Sequence, residues 1–232
     1  MLLKKYEDLP ENLKNEKVLE YYNILNKKKF SLLLKRIGDI LISTILLVLL
    51  SPIMLILAVL IKLDSKGPVF YRQERITKYG KVFRIFKFRT MVQNADKLGS
   101  LVTEDNDPRI SHVGNILRDC RLDEIPQLIN IFLGDMSFVG TRPEVRRYVE
   151  AYTDEMVATL LLPAGVTSLA SIMYKDEAVE ISQYTEQGYT ADEAYIKFIL
   201  PKKMKYNLAY LSDLSIGYDI KLMIKTVLAV IK

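Results

Sequence analysis

The chain has 232 residues, a net charge of +5, half of its residues hydrophobic, one cysteine (Cys120) and one histidine (His112). That length suits one domain of ordinary size; the lone cysteine excludes an internal disulfide and, with a single histidine, argues against a structural zinc site. The basic balance fits nucleic acid, anionic lipid or phosphorylated substrates, and charge alone does not choose among them.

Residues 1–34 are polar and lysine-rich and are predicted as an N-terminal extension near anionic headgroups, with Leu19, Tyr22 and Leu25 at helical spacing. From Ile40 to Ile61 an apolar run follows, interrupted by Ser51-Pro52. At about 1.5 Å per residue it just crosses a bilayer core of roughly 30 Å, but an interior proline removes a backbone hydrogen bond and predicts a kink or break. The run is too long and too far from the start for a cleaved signal peptide. Lys35-Arg36 and Asp39 precede it, and Lys62 and Lys66 follow it. Basic flanks at both ends conflict with a straight span under the positive-inside rule and favour a re-entrant segment over 35–62 with both ends in the cytoplasm. A kinked spanning helix is the alternative. Ser51 stands where its hydroxyl can satisfy a carbonyl freed by Pro52.

The remainder, 63–232, has the composition of a cytoplasmic domain. Val69–Tyr71 and Val82–Arg89 read as strands, the second carrying Lys87 and Arg89 between aromatics. Lys97 to Arg109 is a polar loop, Ile116–Leu133 is mostly helical with punctuation at Pro126, and helices are expected in 142–161 and beyond Thr190. In Asp219–Lys232, Lys221, Lys225 and Lys232 share one helical face and apolar residues fill the rest. That is the pattern of an interfacial helix, of a helix packed on the core, or of a dimer face. The expected architecture is a mainly helical α/β single domain anchored by the broken membrane helix. GxGxxG, P-loop, HExxH and GxSxG patterns are absent.

The densest polar cluster is Arg118-Asp119-Cys120-Arg121-Leu122-Asp123-Glu124-Ile125-Pro126-Gln127. Proline is tolerated in a helix only in its first turn, which starts the helix near Arg121 or Leu122 and puts Asp123 and Glu124 at its N-terminus. Free N–H groups there stabilise carboxylates and would equally bind phosphate. One reading is charge complementarity at a helix end with solvated arginines. The other has one carboxylate as a nucleophile on phosphorus, the second on Mg²⁺, and arginine on phosphate oxygens.

Arg118, Asp123-Glu124-Ile125-Pro126-Gln127-Leu128, Asn130, Gly134-Asp135-Met136-Ser137, Val139-Gly140 and Arg142-Pro143 resemble the bacterial sugar transferase family, monotopic phosphoglycosyl transferases acting on polyprenol phosphate. Lys35-Arg36 with Asp39, Ser51-Pro52, Gly67-Pro68-Val69-Phe70 with Gln73 and Arg75, Phe86–Met91, Asp107–Ser111, Gly165-Val166-Thr167 and Pro201-Lys202 with Tyr210 extend the resemblance, in order, over Lys35 to Lys232. It implies transfer of a sugar phosphate from a UDP-sugar to undecaprenyl phosphate with release of UMP, initiating a surface glycan at the inner (cytoplasmic) membrane. Asp123 would be the nucleophile, Glu124 the Mg²⁺ ligand, and Arg118 and Arg142 (with Pro143) contacts to phosphate or nucleotide. Lys87, Arg89 and Arg109 are further candidates for phosphate or headgroup contact, the plain alternative for the first two being strand-surface charge.

Thr77, Thr141, Pro163-Ala164 and Ser168 depart from the family pattern without removing a charged group. His112 is read as structural or solvated, and Cys120 as facing away from the acids. Partners expected are the two substrates, membrane lipids and downstream glycosyltransferases. Nucleic acid is not, because the basic residues adjoin membrane-seeking segments. The rival from another class is a non-catalytic membrane scaffold for glycan assembly, against which the intact Asp123, Glu124, Arg118 and Arg142 speak.

Overall fold

The computed structural model of the chain describes residues 2–92, 95, 107–174 and 177–231, with side chains described up to residue 229. The polar loop expected over Lys97–Arg109 lies outside the described residues as far as 106, and so does Lys232. In chain order the helices are α1 (Glu16–Lys27), α2 (Lys29–Asp64), α3 (His112–Asp119), α4 (Gln127–Leu133), α5 (Arg146–Val149), α6 (Leu169–Met173), α7 (Glu177–Glu186), α8 (Ala191–Ala194), α9 (Leu200–Asp213) and α10 (Ile216–Ile231). Two small sheets complete the fold. β1 (Phe70–Ile76) and β2 (Val82–Phe88) form an antiparallel hairpin, and β3 (Met136–Val139) pairs in parallel with β4 (Ala164–Thr167). The chain is mainly helical, as its sequence predicts.

Residues 2–34 are not a detached polar extension but pack one face into the domain. Leu9, Leu13, Val18, Leu25 and Leu32 belong to the largest core cluster, with Leu160, Leu161, Leu211 and Leu222. The reason is periodicity: α1 is polar on one side and turns Val18, Tyr22 and Leu25 inward, after an N-cap in which Asn15 accepts from the Val18 N–H at 2.8 Å. The parallel pair β3–β4 has four-residue strands, too short for a period to show. It closes where two glycines meet. A Cβ on Gly165 would lie 2.2 Å from the Gly140 nitrogen.

The organising element is α2, which runs as one helix of 36 residues with Pro52 inside it, where the sequence predicts a break. The physical reason is local. Pro52 has no N–H for the carbonyl of Val48, four residues earlier, and the Ser51 hydroxyl donates to that carbonyl at 2.8 Å instead. Among the described residues α2 is the one helix long and apolar enough to cross a membrane. Its outward face exposes Ile45, Val48, Leu49, Leu55, Ile56 and Val59.

The other face binds the domain on both sides of the proline. Near the start, Lys35 Nζ sits 2.6 Å from Asp219 Oδ2 of α10, both buried. Arg36 donates to the carbonyls of Ile131 (2.6 Å) and Phe132 (2.9 Å), which end α4. Asp39 Oδ1 accepts from the Ser137 hydroxyl at 3.0 Å and the Phe138 N–H at 3.2 Å. Leu46, Leu47 and Leu50 then pack on Ile131 and Met136, and beyond Pro52, Met54, Leu57 and Ile61 pack near Phe88 and Leu117. Asp64 closes the far end by accepting from the Val113 N–H at 3.1 Å.

Leu13 and Leu25 are fully buried. Replacing either by alanine should therefore cost about 2–5 kcal/mol, as expected for a core leucine. Chemical denaturation of the detergent-solubilised chain measures this, and a cost near zero would mean that the N-terminal segment is not part of the domain.

Candidate active site

The acidic pair is built by a sharp turn. α3 ends at Asp119, and Arg121 takes a left-handed backbone conformation (φ 56°, ψ 21°) that redirects the chain into a 3₁₀ turn over Leu122–Glu124. Pro126 then caps α4. Asp123 and Glu124 thus lie in a separate turn before α4, which begins at Gln127 rather than near Arg121 or Leu122, because Pro126 serves as its N-cap instead of sitting in its first turn.

Opposite them stands β2, which packs Phe83 and Ile85 with Leu128 and Ile131 of α4 and is hydrogen-bonded to that helix through Asn130. Asn130, fully buried, accepts from the Phe86 N–H at 2.8 Å and donates to the Arg84 carbonyl at 3.1 Å, pairing with the strand as a neighbouring strand would. This brings Lys87 to the acids: its ammonium is 2.7 Å from Glu124 Oε1 and 3.9 Å from Asp123 Oδ2. Arg142, on the loop after β3, places Nη2 at 2.7 Å from the same Glu124 oxygen. Residues 124, 87 and 142 therefore form one bridge, with Asp123 beside it.

The two carboxyls are tuned apart. Burial pushes Asp123 up from its ordinary value, with Glu124 adding to the effect and Lys87, Arg118 and Arg121 opposing it. Burial would push Glu124 up as well, but Arg142 and Lys87 outweigh it and hold that carboxyl well below the usual carboxylate range. Arg118, in the last turn of α3, acts by charge on both Asp123 and Asp107.

Other candidate residues serve the framework. Arg89 is 6% exposed, and its guanidinium donates to the carbonyls of Pro68, Ser65 and Ile61, which tie the end of β2 to the end of α2. Arg109 donates to Asp107 through Nε (2.9 Å) and Nη2 (2.5 Å) and to the Ala95 carbonyl (3.0 Å), holding Asp107 down at about 2. Pro143 is buried and offers its carbonyl to Arg75 Nη1 at 3.2 Å. Lys35, Arg36 and Asp39 dock α2 rather than merely flanking it.

Two residues given no site role by the sequence join this region: Arg75, named above only within the resemblance, and Glu144, not named at all. Their signals were their places beside Gln73 and after Arg142-Pro143. The departures from the family pattern also find uses. Thr77 bridges the Asp135 carbonyl (2.6 Å) and the Ala164 N–H (3.1 Å), and Ser168 caps α6 by accepting from the Ser171 N–H at 2.9 Å. The Thr141 hydroxyl is buried without a hydrogen-bond partner among the described residues, and the structure gives no reason for it.

The bacterial sugar transferase family profile matches residues 30–232, so the chain belongs to that family. Similar proteins include the UDP-N-acetylgalactosamine-undecaprenyl-phosphate N-acetylgalactosaminephosphotransferase of Aeromonas hydrophila, 34% identical over 173 residues, covering 73% of this chain and 37% of the relative. The UDP-glucose:undecaprenyl-phosphate glucose-1-phosphate transferase of Escherichia coli K12 is 36% identical over 199 residues, 84% of this chain and 39% of its own length. A putative undecaprenyl-phosphate N-acetylgalactosaminyl 1-phosphate transferase of Bacillus subtilis is 37% identical over 125 residues, 54% of this chain and 70% of the relative. The chain thus spans under two fifths of the first two relatives.

Lys87 and Arg89 separate site from framework by experiment. Lys87→Ala should lower kcat/KM of the reaction proposed below by about 10²-fold or more with little change in melting temperature. Arg89→Ala should lower the melting temperature, because it leaves buried carbonyls without a donor at about 1–3 kcal/mol each. The reverse pattern would exchange their roles.

Proposed function

We propose that the chain transfers a sugar 1-phosphate from a UDP-sugar to undecaprenyl phosphate with release of UMP, as the first membrane step of a surface glycan. The observation that carries this reading is the Asp123–Glu124 pair under Lys87 and Arg142, next to Ile125, which packs beside the apolar helix α2. The names of the relatives support the substrate classes.

In this reading Asp123 is the nucleophile. An Asp123 carboxylate oxygen attacks the sugar-proximal phosphorus, the bond from that phosphorus to the nucleoside phosphate breaks, and its electron pair leaves with UMP. A phosphate oxygen of the polyprenol then attacks the same phosphorus, the bond to Asp123 breaks, and the carboxylate is restored. Splitting the transfer into two steps lets the two bulky anionic substrates react at the site one after the other instead of together. Lys87 suits the first step because its ammonium steadies the buried Asp123 carboxylate before attack. Arg142 and Arg118 supply positive charge for phosphate oxygens, which guanidinium geometry matches.

Glu124 fits a Mg²⁺ ligand. Among the described residues both of its cationic partners sit on Oε1, which leaves Oε2 open, and no cluster of three protein ligands gathers. That donor set suits a metal taking one or two carboxylates plus phosphate oxygens. When bound, Mg²⁺ would neutralise charge on the diphosphate.

The membrane reading follows from α2. The segments before and after Pro52 both pack on one domain, and the two ends, at Lys35 and Asp64, bond to it. This supports a re-entrant segment with both ends on the cytoplasmic face of the inner membrane over a straight span. α10, exposing Ile220, Ile224, Val227 and Leu228, would lie in the interface plane.

Membranes carrying the chain, given Mg²⁺, polyprenol phosphate and a panel of UDP-sugars, should release UMP with at least one of them. Silence across the panel would favour a non-catalytic scaffold. Asp123→Asn should lower turnover by at least about 10³-fold and abolish a trapped phosphosugar adduct. Topology has its own check. In a Cys120→Ser background, single cysteines at Lys28 and Lys66 should both resist an impermeant periplasmic reagent. Labelling of either overturns the re-entrant arrangement.

A further inference from the structure

Arg142 reaches Glu124 from a short segment whose neighbouring residues are all tied down. The Thr141 carbonyl accepts from the Gly165 N–H of β4 at 2.8 Å. The Pro143 carbonyl accepts from Arg75 Nη1 at 3.2 Å, and the Glu144 carbonyl from the Ile76 N–H at 3.0 Å, both from β1. The remaining anchor is a side chain that no step of the transfer uses. Glu144 is 8% exposed, and its Oε1 accepts from the Tyr195 hydroxyl at 2.5 Å with Lys203 Nζ at 3.7 Å. That carboxylate fastens the Arg142 segment to the helical half of the domain.

The helical half is shaped to receive it. Tyr195 and Lys203 are eight residues apart, and on a regular helix such residues are turned about 80° from each other. Here a π-helical turn over Tyr195–Ile199 precedes α9, with the Leu200 N–H donating to the Tyr195 carbonyl five residues back. One extra residue in the turn cuts that angle to about 20°. The phenol and the ammonium therefore share one face: Lys203 Nζ donates to the Tyr195 oxygen at 2.9 Å, and both stand at Glu144.

We propose that Glu144 is a positioning residue of the site: held by Tyr195 and Lys203, it fixes the segment from which Arg142 meets Glu124. The proposal rests on the phosphoglycosyl transferase reading, in which Arg142 serves phosphate oxygens, and adds to it the residue that sets where Arg142 stands. A buried ion pair adds little stability over an apolar contact of the same shape, because desolvation cancels most of its attraction. What it supplies here is direction. The guanidinium moves with its backbone, and a misplacement of about 1 Å costs up to about 10²-fold in rate.

The test is a double-mutant cycle on the full chain in detergent, with kcat/KM followed by radiolabelled UDP-sugar so that low turnover is still read. Glu144→Ala should lower kcat/KM by about tenfold to 10²-fold. The fold should survive, since Lys203 keeps Glu177 at 2.9 Å and the Tyr195 oxygen keeps Lys203. Glu144→Gln retains an acceptor for the Tyr195 hydroxyl and should recover part of the loss. Tyr195→Phe removes one bond and should cost less than Glu144→Ala. In an Arg142→Ala background, Glu144→Ala should cost less than about twofold, because no guanidinium is left to place. The same factor in both backgrounds would mean that Glu144 serves stability alone, and it overturns the proposal. Wild-type kcat/KM in Glu144→Ala overturns it too. Should Glu144→Ala fail to fold, Glu144→Gln and Tyr195→Phe go through the same cycle. A wild-type chain that releases no UMP from any UDP-sugar overturns this role together with the reading beneath it.

Discussion

The rest of the structure depends on how the first half of α2 is tied to the domain. Lys35 and Asp219 form an ion pair with little access to water, and such a pair holds only if both charges stay matched, because breaking one side strands the other. Arg36 on the last carbonyls of α4 and Asp39 on the start of β3 add two more directional contacts. α4 is also the helix whose leading turn carries Asp123 and Glu124. One short stretch of α2 thus fixes, through α4, the height of the acids relative to the apolar face of the same helix.

Charge is distributed around that site in layers. Glu124 is clamped between Lys87 and Arg142, which keeps it ionised despite its burial, while Asp123 is only grazed by Lys87 and its burial is less fully offset. Two adjacent carboxylates therefore differ in character because their cations are unequally shared. Behind Arg142, Glu144 is gripped by Tyr195 and Lys203, and Lys203 in turn reaches Glu177 of α7 at 2.9 Å. The charged residues form a chain from the acids into the helical half of the domain, with opposite signs alternating along it.

The hairpin shows how a small polar side chain sets a site. Asn130 takes both a donor and an acceptor from β2, so the register of β2 against α4 is fixed to within one residue. A slip by one would turn Lys87 to the other face of the strand. Arg89 fixes the far end of the same strand on α2.

By itself the sequence determined a good deal. Two strand segments of the later hairpin, the apolar run, a helix start close after Asp123 and Glu124, and the helical C-terminus follow from local rules: alternation, an apolar stretch, a proline at a helix start, and amphipathic spacing. The role of Ser51 beside Pro52 follows in the same way, from the chemistry of one missing N–H. Family resemblance added the reaction class. Tertiary structure alone decided which charges meet. Lys87 and Arg89 share a strand and a spacing, yet one reaches the acids and the other is buried on carbonyls at the end of α2, because only packing sets what lies beyond each side chain. The same holds for residues 1–34, whose polar composition hid an inward stripe. It holds for β3 and β4, which pair across more than twenty residues and carry no periodic signal. Arg75 and Glu144 complete the set: their charges were visible in the sequence, but their neighbours Gln73, Pro143, Tyr195 and Lys203 come from β1, the loop after β3, the turn before α9 and α9 itself, and no local pattern brings those together.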